Sequence, residues 1–191
     1  MVPRVPSLLE LSSKEGYSRL VAKVRPTPGR SRQRKPHWLT RDELATWMAL
    51  NAILNKLPTA LGLQLQRDSG LSYLEYHVLA YLSDQPDRTL PMSQLAVLAD
   101  SELSRLSHLI SRLEKRGLVQ RQPNPTDGRI TIATLTHDGQ ALLDRAAPEH
   151  VKQVRELVFD ALDKETQHAL RYAAHAILNR LDDGDCAPDA P

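Results

Sequence analysis

The sequence predicts a mainly α-helical chain with a small β-hairpin, and residues 101–136 hold three observations behind that prediction. Apolar residues at helical spacing form one stripe that would face a core. Gly117 then follows two basic residues, which is typical of a helix end. Two β-branched runs flank a turn rich in Pro, Asn, Asp and Gly, as in a hairpin. This order predicts a winged helix-turn-helix.

The two faces of the predicted helix differ in chemistry. The apolar stripe consists of Leu103, Leu106, Leu109, Ile110 and Leu113. The opposite face carries hydroxyl, guanidinium and imidazole groups, on Ser104, Arg105, Ser107, His108, Ser111 and Arg112. Short hydroxyls let a helix approach the floor of a DNA groove, and the longer side chains offer hydrogen bonds to base edges. A helix that is merely solvated would more often carry Glu and Lys, so this face predicts a DNA-reading helix.

The predicted hairpin would form the wing. Its strands contain Leu118, Val119 and Arg121 on one side and Ile130, Ile132 and Thr134 on the other. Asp127 lies in the turn between them, and Arg129 follows directly. Arg129 is adjacent to no apolar stripe that its side chain could pack against. A contact to DNA is therefore the favoured interpretation.

Helices are also predicted before the reading helix. Thr40 and Glu43 have the spacing of a capping box and open a helix that we expect to reach about Arg67, with a kink at Pro58. The same spacing at residues 72–75 opens a second helix, to about residue 83. Leu90 and Met92 predict a short edge strand. A short helix over residues 93–98 then completes the helix-turn-helix.

Two further helices are predicted after the hairpin. The first starts at Thr136 and has a bend expected at Pro148, and the second starts at Lys164. These long apolar-striped helices have more hydrophobic surface than a small winged domain can cover. Pairing with a second copy would bury it, so a homodimer is expected.

Basic charge is concentrated at two places along the 191 residues. Residues 1–38 hold nine Lys or Arg and two Glu, whereas residues 39–191 hold 16 basic and 21 acidic side chains. Within the second part, residues 101–129 have six basic and three acidic groups. Since phosphate contacts supply most nonspecific affinity for nucleic acid, this local excess supports double-stranded DNA as the partner.

Several classes of protein are disfavoured. The single cysteine, Cys186, allows no internal disulfide, which favours the cytoplasm, and no apolar run approaches the ~20 residues of a membrane span. Phosphate-binding glycine loops and nucleophile elbows are missing, so no enzyme activity and no cofactor are expected.

The chain resembles the MarR family of bacterial transcriptional regulators. The resemblance rests on residues 71–83, 92–121 and 127–139, and extends over about residues 38–181. The specific combination is Arg112, Leu113 and Glu114 followed by Gly117, and then a wing with Asp127, Arg129 and a Leu-Thr pair at 135–136. Two residues depart from the family pattern. Gly128 stands where many relatives carry a second basic residue, and Pro58 lies inside the first predicted helix.

The resemblance implies a homodimer on a pseudo-palindromic operator, and we expect the dimer to act as a repressor. It implies that Ser104, Arg105, Ser107 and His108 face base edges, that Arg112 contacts a phosphate or a nearby edge, and that Arg129 enters the minor groove. Asp127 would orient a wing arginine. The implied regions are residues 1–38 as a flexible basic extension, 39–70 as the N-terminal dimerisation helix, 71–136 as the DNA-binding lobe, 137–182 as the C-terminal dimerisation helices and 183–191 as an acidic tail.

The resemblance also implies a small lipophilic or phenolic effector. Candidate residues for its site are Trp47, Tyr73, Tyr76, His77 and Tyr81, although such aromatics also serve as plain core. Metal sensing is an alternative, with His150, His168 and His175 on the terminal helices, but no metal-binding spacing supports it and no metal ligand is assigned. A second alternative is a winged-helix adaptor that binds proteins. We expect no exposed apolar groups on the reading helix. This expectation favours a DNA-binding protein over a protein-binding adaptor.

Overall fold

The computed structural model describes residues 37–185, with side chains up to residue 182. Within this range the chain forms six α-helices, three strands and one π-helical segment, in one unit beginning at Asp42. The helices and strands are α1 (Arg41–Ser69), α2 (Tyr73–Ser83), β1 (Thr89–Pro91), α3 (Met92–Leu98), α4 (Leu103–Lys115), β2 (Val119–Pro123), β3 (Thr131–Leu135), α5 (His137–Val154) and α6 (Lys164–Asp185), and the π-helical segment is Arg155–Phe159. The predicted extension before residue 37 and Cys186 lie outside the described residues.

Side-chain caps start two of the helices at the predicted places. The capping box before α2 is complete, since the Ser72 N–H donates to Glu75 Oε2 at 2.9 Å and the Glu75 N–H donates to Ser72 Oγ at 3.3 Å. Before α5, Thr136 Oγ1 accepts a hydrogen bond from the Gly139 N–H at 3.0 Å. These bonds satisfy amide groups that have no partner within the helix.

The end of α4 is set by Gly117, as predicted. Its φ of +73° lies in the left-handed region, which glycine adopts at little cost. The Gly117 N–H donates to Glu114 O, and the Leu118 N–H donates to Leu113 O, which is the pattern of a Schellman motif. The chain thereby turns directly from the reading helix into β2.

The three strands form one antiparallel sheet in the order β1-β3-β2. Leu90 pairs with Ala133 on one side of the central strand, and Arg121 pairs with Ala133 on the other. The predicted edge strand at Leu90 is confirmed. Met92, which was assigned to that strand, instead begins α3.

The core lies between α2, α4 and the sheet. Four members of the predicted stripe are buried there: Leu106, Leu109, Ile110 and Leu113. The fifth assignment was wrong, because Leu103 is 53% exposed. Leu103 is the first residue of α4, and the buried part of the stripe begins one turn later, at Leu106. The expectation of a reading helix without exposed apolar groups is therefore also wrong.

Both helix-interior prolines lie within continuous helices. Pro58 is inside α1 and Pro148 is inside α5. The departure from α-helical geometry after the hairpin comes later, at the π-helical segment Arg155–Phe159. The kink at Pro58 and the bend at Pro148 stay predictions.

The terminal helices expose apolar side chains in the isolated chain. On α1 these include Trp47, Ile53, Leu54 and Leu63, and on α6 they include Leu170, Tyr172, Ile177, Leu178 and Leu181, each at least 47% exposed. No helix in residues 37–185 is both long and apolar enough to cross a membrane.

Candidate nucleic-acid interface

The solvent-facing side of α4 presents most of the predicted reading residues together. Ser104, Arg105, His108 and Arg112 are exposed, and Ser107 is half-buried. The helix is held to the core by the opposite face, so these side chains have a fixed platform. Three hydrogen-bonding residue types therefore project from one side of one helix, which is the arrangement needed to contact base edges.

A groove of about 660 Å³ separates this face from the start of α2. It is lined by Ser72, Tyr73, Leu74, Ser104, Arg105, His108, Leu109 and Arg112. Four of the predicted DNA-binding residues therefore line one concave surface. The amino-terminal end of α2 forms its other wall.

A buried carboxylate orients the arginines near this groove. Glu75 is 7% exposed, and its Oε1 lies 3.5 Å from Arg112 Nε. The Arg116 guanidinium approaches the other oxygen of the same carboxylate at 3.9 Å. Arg112 remains 61% exposed, so it can still reach a phosphate while Glu75 limits its direction. Arg116, one of the two basic residues before Gly117, therefore shares this carboxylate with Arg112.

The wing tip is ordered by two short polar side chains. Asp127 Oδ1 accepts a hydrogen bond from the Arg129 backbone N–H at 3.0 Å. Asn124 Oδ1 accepts hydrogen bonds from the backbone N–H and the hydroxyl of Thr126. Asp127 thus acts on Arg129 through its backbone, and the Arg129 side chain is exposed beyond the turn.

Arg121, on β2, joins the wing to the reading helix, a role that its position in the sequence did not predict. Its Nη2 donates to Glu114 Oε2 at 2.6 Å and to Ser111 Oγ at 2.9 Å, and its Nε donates to Glu114 Oε2 at 3.1 Å. Its Nη1 lies 3.5 Å from Ser107 Oγ. Hydrogen bonds from Arg121 hold the pKa of Glu114 below its ordinary value. The available signal was an Arg in a strand seven residues after a Glu near a helix end, which is too common to identify a pair.

A second groove, of about 360 Å³, lies between the start of α4 and the wing. It is lined by Met92, Ser93, Leu103, Ser107, Arg121, Arg129, Ile130 and Thr131. The predicted base-reading residue Ser107 and the predicted wing residue Arg129 therefore line the same surface. Helix and wing present one continuous interface rather than two separate ones.

Four of the five candidate effector residues gather along α2. The rings of Tyr73 and His77 are 4.2 Å apart, those of Tyr76 and His77 are 5.6 Å apart, and those of His77 and Tyr81 are 6.2 Å apart. Burial raises the pKa of both Tyr73 and Tyr76. Trp47, the fifth candidate, is 52% exposed and contributes to none of these ring contacts.

His150 completes this aromatic cluster from α5. Its ring lies 4.4 Å from that of Tyr76, and its Nδ1 is 3.2 Å from the buried Gln64 Oε1. Burial, with a smaller contribution from His77, lowers the pKa of His150. Sequence reasoning missed this role of His150, although its spacing from Leu143 and Ala146, which are also buried, was an available signal for the buried face of the helix.

The three histidines of the metal-sensing alternative differ in burial. His150 is buried, whereas His168 and His175 are exposed on α6. Among the described residues, no three His, Cys, Asp or Glu side chains are grouped so that they could hold a metal ion.

Comparison with known proteins relates this surface to a family of regulators. A family model described as MarR family matches residues 69–130. The chain is 30% identical over 129 residues to the HTH-type transcriptional repressor NicR of Pseudomonas putida, covering 66% of this chain and 76% of NicR. It is 29% identical over 110 residues to the HTH-type transcriptional regulator MhqR of Bacillus subtilis, covering 58% of this chain and 74% of MhqR.

Solved structures show the same similarity over a larger share of the chain. Sco3205, a MarR family transcriptional regulator from Streptomyces coelicolor crystallised in complex with DNA, is 39% identical with a TM-score of 0.73, over 83% of this chain and 96% of Sco3205. AbsC, a MarR family regulator from the same organism, is 33% identical with a TM-score of 0.74, over 78% of this chain and 99% of AbsC.

Proposed function

Because the chain belongs to the MarR family of transcriptional regulators, we propose that it is a homodimeric repressor of a pseudo-palindromic operator and that a small molecule releases it from DNA. The observation that carries the proposal is the joint surface of α4 and the wing. Exposed Ser, Arg and His side chains occupy one side of α4, and Arg129 extends the same surface onto the hairpin. The complex of the similar Sco3205 with DNA supports this use of the surface.

The predicted DNA-binding residues divide into three groups by the part of the DNA that they contact or support. Ser104, Arg105, Ser107 and His108 read base edges in the major groove, with α4 inserted there. Arg112, directed by Glu75, contacts a phosphate. Arg129 enters the neighbouring minor groove, and Asp127 holds the wing tip that carries it.

The dimer would form through the terminal helices. Leu54 and Leu63 on α1 and Ile177 and Leu181 on α6 expose apolar surface that a second copy can bury. Residues 39–70 and 137–182 are then the dimerisation regions, and residues 71–136 form the DNA-binding lobe. A two-fold dimer places half-sites about one helical turn apart, ~10 bp between centres.

The effector would be a small lipophilic or phenolic molecule held near Tyr73, Tyr76, His77, Tyr81 and Trp47. The first four lie on α2, which also forms a wall of the groove beside α4. A ligand that moved α2 would therefore change the position of the reading helix relative to α2. The repressor sign of the proposal follows relatives such as NicR, which is a transcriptional repressor.

Selection of bound fragments from random double-stranded DNA tests this function. We expect enrichment of an inverted repeat, and a complex whose mass corresponds to two chains on one duplex. Fragments without two-fold symmetry, or a free protein that stays monomeric at micromolar concentration, would contradict the proposal.

Substitutions then test the individual roles on the selected fragment. Arg105→Ala should lose ~1–3 kcal/mol of discrimination between the selected and mutated half-sites, if the guanidinium binds a guanine with two hydrogen bonds. Arg129→Ala should weaken binding to all sequences and lower the salt slope by about one. Arg145→Ala is the control, because Arg145 is an exposed arginine on α5. Full operator affinity in the Arg105/Arg129 double variant would refute the assignment.

The protein-binding adaptor makes the opposite prediction for salt. An adaptor would bind mixed DNA weakly or with little dependence on salt. A DNA-binding regulator loses affinity steeply as salt rises, because it displaces counterions from phosphates.

A further inference from the structure

We propose that Leu103 is a specificity-determining residue that packs against the C5-methyl group of a thymine in each operator half-site. The proposal rests on the function proposed above, since it requires α4 in the major groove. Its starting point is the exposure of one leucine of the α4 stripe.

Leu103 stands apart from the other apolar residues of its helix. It is 53% exposed, whereas Leu106 and Ile110 are fully buried and Leu109 is 3% exposed. Leu103 is the first residue of α4, and the side chains at the start of a recognition helix come nearest the bases. The apolar surface therefore lies where sequence is read and where it contributes little to the core.

The surroundings of Leu103 indicate the chemistry of its partner. The groove that it lines also contains the hydroxyls of Ser93 and Ser107 and the guanidinium of Arg129. The neighbouring Arg121 is already hydrogen-bonded to Glu114, so Arg129 is the cation of this groove with an exposed side chain. Because Arg129 continues past this groove into the minor groove, a partner must offer apolar and hydrogen-bonding groups beside Leu103 and an anionic backbone between the two grooves.

Thymine in a duplex meets this requirement. In the major groove it presents the O4 acceptor beside the C5-methyl group, and its backbone supplies the phosphate. The methyl group also distinguishes thymine from cytosine, which presents an amino donor and has no methyl group. A leucine at this position therefore selects for thymine through burial of apolar surface, without a hydrogen bond of its own.

Replacement of thymine by deoxyuridine measures this contact, because it removes only the methyl group. The probe is the fragment obtained from random DNA, synthesised with deoxyuridine at one thymine position at a time. Burial of one methyl-sized group is worth about 0.8 kcal/mol, which corresponds to about a fourfold loss of affinity for each half-site substituted. We expect this loss at one position of the half-site, and about 16-fold when both half-sites carry the change.

Variants assign the methyl contact to Leu103. Leu103→Ala should bind the thymine fragment as weakly as the unaltered protein binds the deoxyuridine fragment, and should lose nothing further on the deoxyuridine fragment. Leu103→Met should still lose affinity when deoxyuridine replaces thymine, because methionine is an apolar side chain of similar volume. Val97→Ala is the matched control, because Val97 is 81% exposed on α3 and does not line this groove, and it should show the same loss.

Three outcomes would overturn the inference while leaving the proposed function intact. They are a selected half-site without thymine, a fragment whose affinity is unchanged by deoxyuridine at every position, and a Leu103→Ala protein that keeps full sensitivity to the methyl group. Failure of the unaltered protein to select any DNA would instead contradict the proposed function.

Discussion

The contact between Arg121 and Glu114 connects the wing to the reading helix, and Arg121→Ala removes it. The arginine side chain makes two hydrogen bonds to the Glu114 carboxylate and one to Ser111. The two charged side chains are 29% and 35% exposed, so solvent weakens their attraction and each bond contributes at the low end of the charge-assisted range. We expect a loss of about 1–2 kcal/mol in the free energy of unfolding.

The pH dependence of this loss has a definite sign. Because Arg121 keeps the pKa of Glu114 below its ordinary value near 4.5, the pair stabilises the fold above that pH. The contribution is lost as the pH falls through the lowered pKa of the folded state. The difference between the unaltered protein and Arg121→Ala should therefore be full at pH 7 and shrink below about pH 4.5.

Urea unfolding at fixed protein concentration measures both effects. Glu114→Gln keeps the shape of the partner and removes its charge, so a cycle of the two single variants and the double variant isolates their coupling, expected at about 1 kcal/mol. Additive effects, or a difference that stays constant from pH 7 to pH 3.5, would refute the reasoning. Binding to the selected fragment should also weaken in Arg121→Ala, because the wing loses its attachment to α4.

Three further predictions concern the folded lobe. Gly139→Ala should destabilise the protein by about 1–3 kcal/mol, because its Cβ would collide with the Leu118 carbonyl oxygen; Gly128→Ala, with no neighbour within 4 Å, should unfold in urea like the unaltered protein. Lowering the pH from 7.5 to 5.5 should reduce the free energy of unfolding, because the pKa of His150 is lowered in the folded state and the fold favours its neutral form. His150→Gln should make the free energy of unfolding less dependent on pH in the same urea assay. An unchanged pH dependence in this variant would contradict the prediction. Gly117→Ala should raise the apparent unfolding rate and lower stability by about 1 kcal/mol, since alanine is strained at a φ of +73°, and equal midpoints would speak against this cap.

The regular elements were predictable because local rules fix them. Hydroxyl and carboxyl groups three residues apart cap α2, and Gly117 ends α4, whatever the rest of the chain does. Strand alternation and turn residues likewise located the hairpin. Such signals act within a few residues, so they can be read without knowing which elements pack together.

The candidate surface was predictable only in part. Helical periodicity predicted the polar side of α4, but it also placed Leu103 in the core. The periodic pattern does not show how far along the helix the neighbouring elements extend. Arg121 was assigned to a strand, and its bonds to Glu114 and Ser111 join residues that only the turn at Gly117 brings together. Trp47 was grouped with the α2 aromatics, yet it lies apart from their ring contacts.

The amino-acid order alone determined the winged helix-turn-helix, the polar face of its reading helix and the arginine beyond the wing turn, because these depend on spacing within elements and on the order of elements along the chain. Tertiary packing decided which of those groups are held by others: Glu75 beside Arg112, Arg121 on Glu114, and His150 against Tyr76. These contacts join side chains from different elements. The distances between these side chains depend on how the helices pack against each other and against the sheet. Residue spacing within one element does not indicate this packing.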